Sequence, residues 1–342
     1  MIGYYGHHLG VGHVRRAAVI AAEAETPVVG FSTESAPVGW TDRWVRLPDD
    51  ADVVEPATRD VTAGGTLHWV PRGHAGLRGR MELIGRELAK GEIRVMVVDV
   101  SVEVSVFARL YGIPVVIMAQ PGERDDRPHR LAYDLADRLL APWPDIMPLQ
   151  GPQRWMDKTV YLGAFSRFDG RSPTTPGPGR RVLALWGSGG LDISAEHISD
   201  AAAATTEWHW EVFGPPLPGA VDRPNLTWRG WVDDIWPSLC AADVVVTHAG
   251  LNALADVAAA RRPAVVIPQA RPYGEQRATA AMLDGNGIAV VATRWPDPEQ
   301  WPELLRRAKV HGGTEWSRWS SGDGAARAAA VLDDLATRTF AY

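Results

Sequence analysis

Short apolar runs without polar alternation recur along this chain, and each pair is separated by enough residues for a helix. In the first half they fall at residues 2–5, 27–31, 94–98, 114–118 and 138–141. In the second they fall at 181–186, 209–213, 243–247, 263–267 and 287–291. A run of four to six residues that is apolar throughout suits a strand covered on both faces, the environment of a parallel sheet. The intervening segments read as helices. Leu77, Met81, Ile84 and Leu88 recur at helical spacing. The alanine-rich segment 192–204 predicts a helix with Asp192 as its N-cap, and a last helix is expected at 323–337. Strands alternating with helices mean an α/β fold with parallel sheets.

Length makes this about two domains: 342 residues, 46% hydrophobic, can bury more than one core. The stretch Ser172-Pro173-Thr174-Thr175-Pro176-Gly177-Pro178-Gly179 cannot be regular structure and divides the alternation in two. The expected architecture is two Rossmann-like domains with parallel sheets facing a central cleft. The division is 1–165, a linker at 166–180, 181–322, and a helix at 323–342 packing back on the first domain. A net charge of −6 argues against a nucleic-acid binder, which needs a cationic surface. One cysteine excludes an intramolecular disulfide or a cysteine-only zinc site. No apolar run reaches membrane-spanning length, and Met1-Ile2-Gly3-Tyr4-Tyr5 lacks the pattern of a signal peptide, so the expected compartment is the cytoplasm.

In such folds ligands bind at the carboxyl ends of strands, so the loops after strands carry the chemistry. Three glycine-bearing loops stand there. The first is Gly6-His7-His8-Leu9-Gly10-Val11-Gly12-His13. It departs from the dinucleotide fingerprint, because Arg15 stands where a third glycine should allow close packing. Its histidines have no carboxylate nearby in sequence, so a polar active-site loop is the better reading than a metal site. The second, Trp186-Gly187-Ser188-Gly189-Gly190-Leu191-Asp192, could cradle phosphate with its amides and the Ser188 hydroxyl, or be a tight turn. It lacks the lysine of a nucleotide-hydrolysing loop. The third runs from Thr247 through His248, Ala249, Gly250 and Asn252 to Asp256, with Glu275-Gln276 after the next strand. His248, Gly250 and Asn252 would meet a pyrophosphate at a helix N-terminus, Asp256 a ribose, and Glu275 and Gln276 a sugar.

Segment 228–282 resembles the nucleotide-sugar signature of GT-B glycosyltransferases, both the plant-type UDP-sugar transferases and the murein-pathway N-acetylglucosamine transferase group with its family 28 C-terminal domain. Trp231-Val232-Asp233-Asp234 resembles the stretch whose backbone meets the base, which implies a base near Val232. His248 matches the diphosphate histidine of the plant-type motif and Asn252 its phosphate-side asparagine. Asp256 stands for a longer ribose-binding glutamate, and Glu275-Gln276 for the acid–glutamine pair on the donor sugar. Ser188, flanked by Gly187 and Gly189, falls on the phosphate-side serine of the murein-type loop, and Arg167 on an interdomain arginine. In the first half, Gly12-His13 with Arg16 resembles the first murein-type glycine loop. The plant-type relatives imply His13 as general base, oriented by Asp99.

The resemblance implies an inverting transfer from a nucleotide-sugar, with UDP as the expected base, to a hydroxyl acceptor. An imidazole suits proton removal at neutral pH, and a carboxylate on its other nitrogen sets the tautomer. Helix N-termini and Arg167 would steady the leaving diphosphate, with no metal and no cofactor. Asp50-Ala51-Asp52 is read as solvated surface, not as a metal motif. His7, His8 and Gln120 are candidates for the acceptor side, and the Gln120–Arg127 segment is read as a polar cleft loop. Arg72, Arg78, Arg80, Arg86 and Lys90 could dock the helix at 77–88 on an anionic membrane surface, or form a solvated face. The donor, a hydroxyl acceptor and a peripheral membrane contact are thus the expected partners, without nucleic acid. A UDP-sugar 2-epimerase or hydrolase, and a non-catalytic nucleotide-sugar-binding subunit, are the competing readings. Fifteen tryptophans are mostly expected in the core, with one of Trp228, Trp231 or Trp236 bordering the donor.

Overall fold

The computed structural model describes residues 1–7, 12–51, 60–174, 179–187, 192–219 and 221–338. His8, Ser188, Gly189 and Asp52 lie outside the described residues. The first half builds one sheet from β1 (Ile2–Gly6), β2 (Val28–Ser32), β3 (Trp44–Arg46), β4 (Val95–Asp99), β5 (Val115–Met118), β6 (Arg138–Ala141) and β7 (Thr159–Tyr161). Its order is β3-β2-β1-β4-β5-β6-β7. The second half builds another from β8 (Arg181–Leu185), β9 (His209–Phe213), β10 (Leu226–Gly230), β11 (Val244–Thr247), β12 (Ala264–Val266) and β13 (Val290–Val291), in the order β10-β9-β8-β11-β12-β13. All these strand pairs are parallel. Each parallel pairing needs a crossover, and helices supply the cover.

The helices of the first half are α1 (Gly12–Glu23), α2 (Ala75–Ala89), α3 (Val102–Leu110), α4 (Arg127–Leu135) and α5 (Gln153–Met156). Those that follow are α6 (Ala195–Ala204), α7 (Trp236–Ala241), α8 (Leu251–Ala260), α9 (Glu275–Gly285), α10 (Trp301–His311) and α11 (Gly324–Thr337). None of the described helices is long and apolar enough to cross a membrane. The central strands β1 and β4 are buried at every position, as their uninterrupted apolar runs require. Leu332 and Ala328 of α11 join Ile20 of α1 and Ile2 and Tyr4 of β1 in one apolar cluster, so the last helix packs on the first domain. Trp143, Trp155, Trp210, Trp301, Trp316 and Trp319 are wholly buried, so most of the large indole surface serves the core.

Three sequence expectations change. The cap of α6 is Ser194, whose hydroxyl accepts the His197 amide. Asp192 is drawn away, accepting the Ala270 amide at 2.6 Å. Asp50 is buried, not solvated: it pairs with Arg80 at 3.1 Å. Arg80 is buried too, and also donates to Tyr5 Oη (2.6 Å) and Thr33 Oγ1 (2.6 Å). A guanidinium so enclosed belongs to the packing of α2 on the sheet and is not offered to a membrane. Strands β3, β7 and β10 were not anticipated. The first two are three-residue edge strands without a fully buried position, and β10 carries polar Thr227 and Arg229.

Candidate functional site

In both sheets the strand order reverses at one point, between β1 and β4 and between β8 and β11. Loops leaving neighbouring strands there diverge to opposite faces and open a crevice. The two crevices share one cleft, lined from the first domain by Gly12, His13, Arg15, Arg16, Gln120 and Pro121. The second domain contributes Gly187, Val232, His248, Ala249, Gly250, Asn252, Asp256, Glu275 and Gln276, and Arg167 also reaches the cleft.

On the first-domain wall, β4 ends at Asp99, which is wholly buried. His13, at the start of α1, places Nδ1 at 2.9 Å from Asp99 Oδ1. Arg16, one turn further, donates to both carboxylate oxygens at 3.1 Å, and Tyr4 Oη donates to Oδ2 at 3.1 Å. Burial alone would raise the carboxyl pKa. Arg16, then His13 and Tyr4, outweigh it and hold Asp99 below its ordinary range. An ionised carboxylate only accepts, so His13 Nδ1 carries a proton, and of the two neutral tautomers only the one with a free Nε2 lone pair fits. His7 donates its backbone amide to the Asp99 carbonyl (3.2 Å), and its ring lies 6.2 Å from that of His13. His7 is not among the residues lining the cleft. The shares of Arg16 and Tyr4 in holding Asp99 had no sequence signal, since Tyr4 reads simply as strand.

On the opposite wall, His248 follows β11 and folds back over Gly250. A Cβ on Gly250 would sit 2.3 Å from the imidazole, so the turn needs glycine. Nδ1 of His248 accepts the Gly250 amide at 2.9 Å. The sequence reading expected that amide to donate to a pyrophosphate; here it is engaged by the imidazole instead. Gln276 is buried and doubly tied. Its Oε1 accepts the Gln269 amide (3.0 Å), which leaves Nε2 to donate to His248 Nδ1 (3.2 Å). With Nδ1 an acceptor, His248 carries its proton on Nε2. Burial, helped by Arg271, lowers its pKa to about 4, so it is a neutral donor at physiological pH. The α8 amides beyond Gly250 begin at Leu251 and Asn252.

Asp256 lies two turns into α8 and accepts a hydrogen bond from Ser166 Oγ. Burial raises its pKa to about 6 against the opposing pull of Ser166, Arg167 and Arg15. Arg167 is exposed, stacks on Phe168 (4.6 Å) and makes one long contact to the Asp233 carbonyl (3.4 Å), which leaves other donors for an anion. Trp231 is half-exposed beside Val232 on the cleft, whereas Trp228 and Trp236 pack against the cores.

At the far end of the cleft, Glu275 accepts from Arg124 Nη2 at 3.1 Å. His68, Asp126 and His129 stand beside it, with nitrogen and oxygen atoms near enough together for a metal. Their hydrogen bonds favour another use. Arg124 Nη1 can only donate to His129 Nε2 (3.3 Å), so His129 Nδ1 holds a proton and gives it to Asp126. That leaves Nδ1 no lone pair for a cation.

Residues 221–296 match the model of the glycosyltransferase family 28 C-terminal domain. The chain is 29% identical over 213 residues to the UDP-N-acetylglucosamine--N-acetylmuramyl-(pentapeptide) pyrophosphoryl-undecaprenol N-acetylglucosamine transferase of Solidesulfovibrio magneticus. That match covers 53% of this chain, which spans 54% of the length of that relative. Among solved structures, the glycotransferase of kitacinnamycin superposes with a TM-score of 0.71 at 18% identity, covering 98% of this chain and 97% of that one. MurG of Acinetobacter baumannii superposes with a TM-score of 0.63 at 17% identity, covering 97% and 99%. The fold is therefore that of the GT-B glycosyltransferases, two parallel Rossmann-like sheets with interleaved helices.

Proposed function

We propose that the chain is an inverting, metal-independent glycosyltransferase that moves a sugar from a nucleotide-sugar, UDP-linked as in the relatives' names, to a hydroxyl acceptor. The observation that carries this reading is the pairing across one cleft of a tautomer-fixed His13–Asp99 couple with a neutral donor, His248, at a helix N-terminus. His13 Nε2 takes the acceptor proton as the hydroxyl oxygen attacks the anomeric carbon. Asp99, shared with Arg16, steadies the imidazolium. The bond to the diphosphate breaks on the opposite face, which inverts the anomeric configuration. The departing charge meets His248 Nε2–H, the first free amides of α8 and Arg167. Asp256 accepts from ribose hydroxyls, the backbone near Val232 meets the base, and Glu275 receives the sugar. A His13–Asp99 couple within hydrogen-bond reach favours an enzyme over a nucleotide-sugar-binding subunit.

The division into an acceptor domain at 1–165 and a donor domain at 181–322 belongs to the same proposal, as does a peripheral contact with the cytoplasmic face of a membrane for a lipid-linked acceptor. Thermal shift against a panel of UDP-, TDP- and GDP-sugars tests the donor reading, because a ligand bound to the folded state alone stabilises it by mass action. Selective stabilisation by one sugar nucleotide is expected. No shift with any of them at millimolar concentration would sink it.

A further inference from the structure

The loop after β5 crosses the cleft and closes on the start of α9. The Glu123 amide donates to the Tyr273 carbonyl at 2.9 Å. Gly122 has φ +88°, and a Cβ there would lie 2.2 Å from that carbonyl oxygen and 2.9 Å from the Glu275 nitrogen, so only glycine permits the approach. Arg124 follows, buried between the domains. Its Nε donates to the Pro121 carbonyl (3.1 Å), Nη1 to His129 (3.3 Å) and Nη2 to Glu275 Oε2 (3.1 Å). The guanidinium lies 4.5 Å from the centre of the Tyr273 ring. Tyr273 is held in turn: its hydroxyl is 3.2 Å from His68 Nε2 and its ring meets His129 edge-on at 4.7 Å. It sits at φ 60°, a strained left-handed conformation for a tyrosine.

We propose that Arg124 is a positioning residue for donor-sugar recognition. It hands a guanidinium from the first domain across the cleft to fix one oxygen of Glu275, leaving the other to accept sugar hydroxyls. This rests on the donor reading above. Gln276, the neighbour expected to share the sugar, has its amide committed to His248 and Gln269. Sugar recognition at this end of the cleft therefore falls mainly on Glu275. A free glutamate on the first turn of a helix samples several rotamers, and ordering it on binding weakens affinity. Arg124 removes that cost in advance. Its planar fork holds three acceptors in fixed directions from three separate nitrogens, a geometry that the single ammonium of lysine does not reproduce. In the donor reading His248, α8 and Asp256 hold diphosphate and nucleoside, whereas the hydrogen bonds of Arg124 go to Pro121, His129 and Glu275, so its contribution belongs to the sugar.

The test compares binding of a sugar nucleotide with that of its own nucleoside diphosphate by calorimetry. UDP-N-acetylglucosamine and UDP are the first pair, or whichever pair the panel selects. Arg124→Leu is expected to weaken the sugar nucleotide about tenfold or more and to leave the diphosphate within about twofold. Glu275→Gln should do the same, and the double variant should be no worse than either single one. Arg124→Lys should recover part of the loss. Equal weakening of both ligands, no change in either, or losses that multiply in the double variant would each overturn the assignment. Arg124→Gln, which keeps a polar end in place of the guanidinium, carries the same comparison should the leucine variant not fold. Failure of the donor reading itself is distinct: the unmodified protein would then bind neither member of any pair.

Discussion

Gln276 donates its Nε2–H to the same imidazole nitrogen of His248 that accepts the Gly250 amide, at 3.2 and 2.9 Å. Two donors on Nδ1 commit His248 to the tautomer whose proton points away from them. Gln276→Leu removes one restraint and leaves the other. Nucleoside diphosphate affinity should fall a few-fold in Gln276→Leu. In His248→Ala it should fall about tenfold or more, the cost of losing a hydrogen bond to a charged oxygen. Calorimetry with a diphosphate lacking the sugar reads both, and equal affinity in His248→Ala would remove His248 from the donor site.

Asp256 is predicted to make donor binding pH-dependent. Its pKa stands near 6 in the free protein, and ribose hydroxyls bond best to the carboxylate. Affinity should therefore rise as pH increases through 6, and Asp256→Asn should flatten that profile while weakening binding at pH 7.5. Stability runs the other way. The folded state holds this proton more tightly than the unfolded chain does, so the group's contribution declines as pH rises from about 4 to about 6. Asp256→Asn should raise the melting temperature at pH 8 and leave it little changed at pH 4. With one side open to the cleft, the gain is on the order of 1–2 kcal/mol.

His13→Ala should reduce single-turnover rate by about 10²–10⁴, the usual worth of a general base, with donor affinity nearly unchanged. His7→Ala should be much milder, since the substitution keeps the backbone amide that bonds the Asp99 carbonyl. Normal turnover in His13→Ala with loss in His7→Ala or His8→Ala would move the base.

Asp99→Asn is expected to unsettle the fold as well as the rate. It leaves the buried Arg16 without its counter-charge, and breaking a buried pair costs about 3–5 kcal/mol. Because the Asp99 pKa is depressed, its stabilisation is present at neutral pH and fades as pH falls through the folded-state value. Denaturant melts of wild type and variant should differ clearly at pH 7 and still at pH 4, and draw together only at lower pH, where Asp99 itself takes up a proton.

The two arginines at 78 and 80 should separate cleanly. Arg80→Ala removes the partner of buried Asp50 and should cost several kcal/mol, again about 3–5. Arg78 is exposed, and Arg78→Ala should fall within about 0.5 kcal/mol. Sedimentation with anionic vesicles at low salt then tests the membrane contact. Arg78→Gln should reduce any association, whereas no association of the unmodified protein would remove that contact.

Strands buried on both faces were legible because parallel sheets leave an unbroken apolar run, as at Val95-Met96-Val97-Val98. Edge strands were not. Trp44-Val45-Arg46 is too short and too exposed on one side to differ from a loop. The proposed donor wall rests on spacing that the sequence displays, because His248, Asn252 and Asp256 follow one strand, and Asn252 and Asp256 share one helix. Asp99 and His13 are 86 positions apart, and only a resemblance joined them. Nothing in sequence spacing says that Arg16 completes the couple, that Asp50 turns inward to Arg80, or that Arg124 meets Glu275. Each is a tertiary pairing of charges that taken singly resemble surface.

The chain passes between the two sheets twice, once near residue 164 and again near 319, and the two passages are bonded to each other by the Ala164 amide on the Trp319 carbonyl at 2.9 Å. A single tether would let the halves swivel in any direction. Two tethers joined side by side act like a door with both pins in one edge. Any opening of the cleft would then be a rotation about that edge, with His13 carried on a helix clamped by the last one.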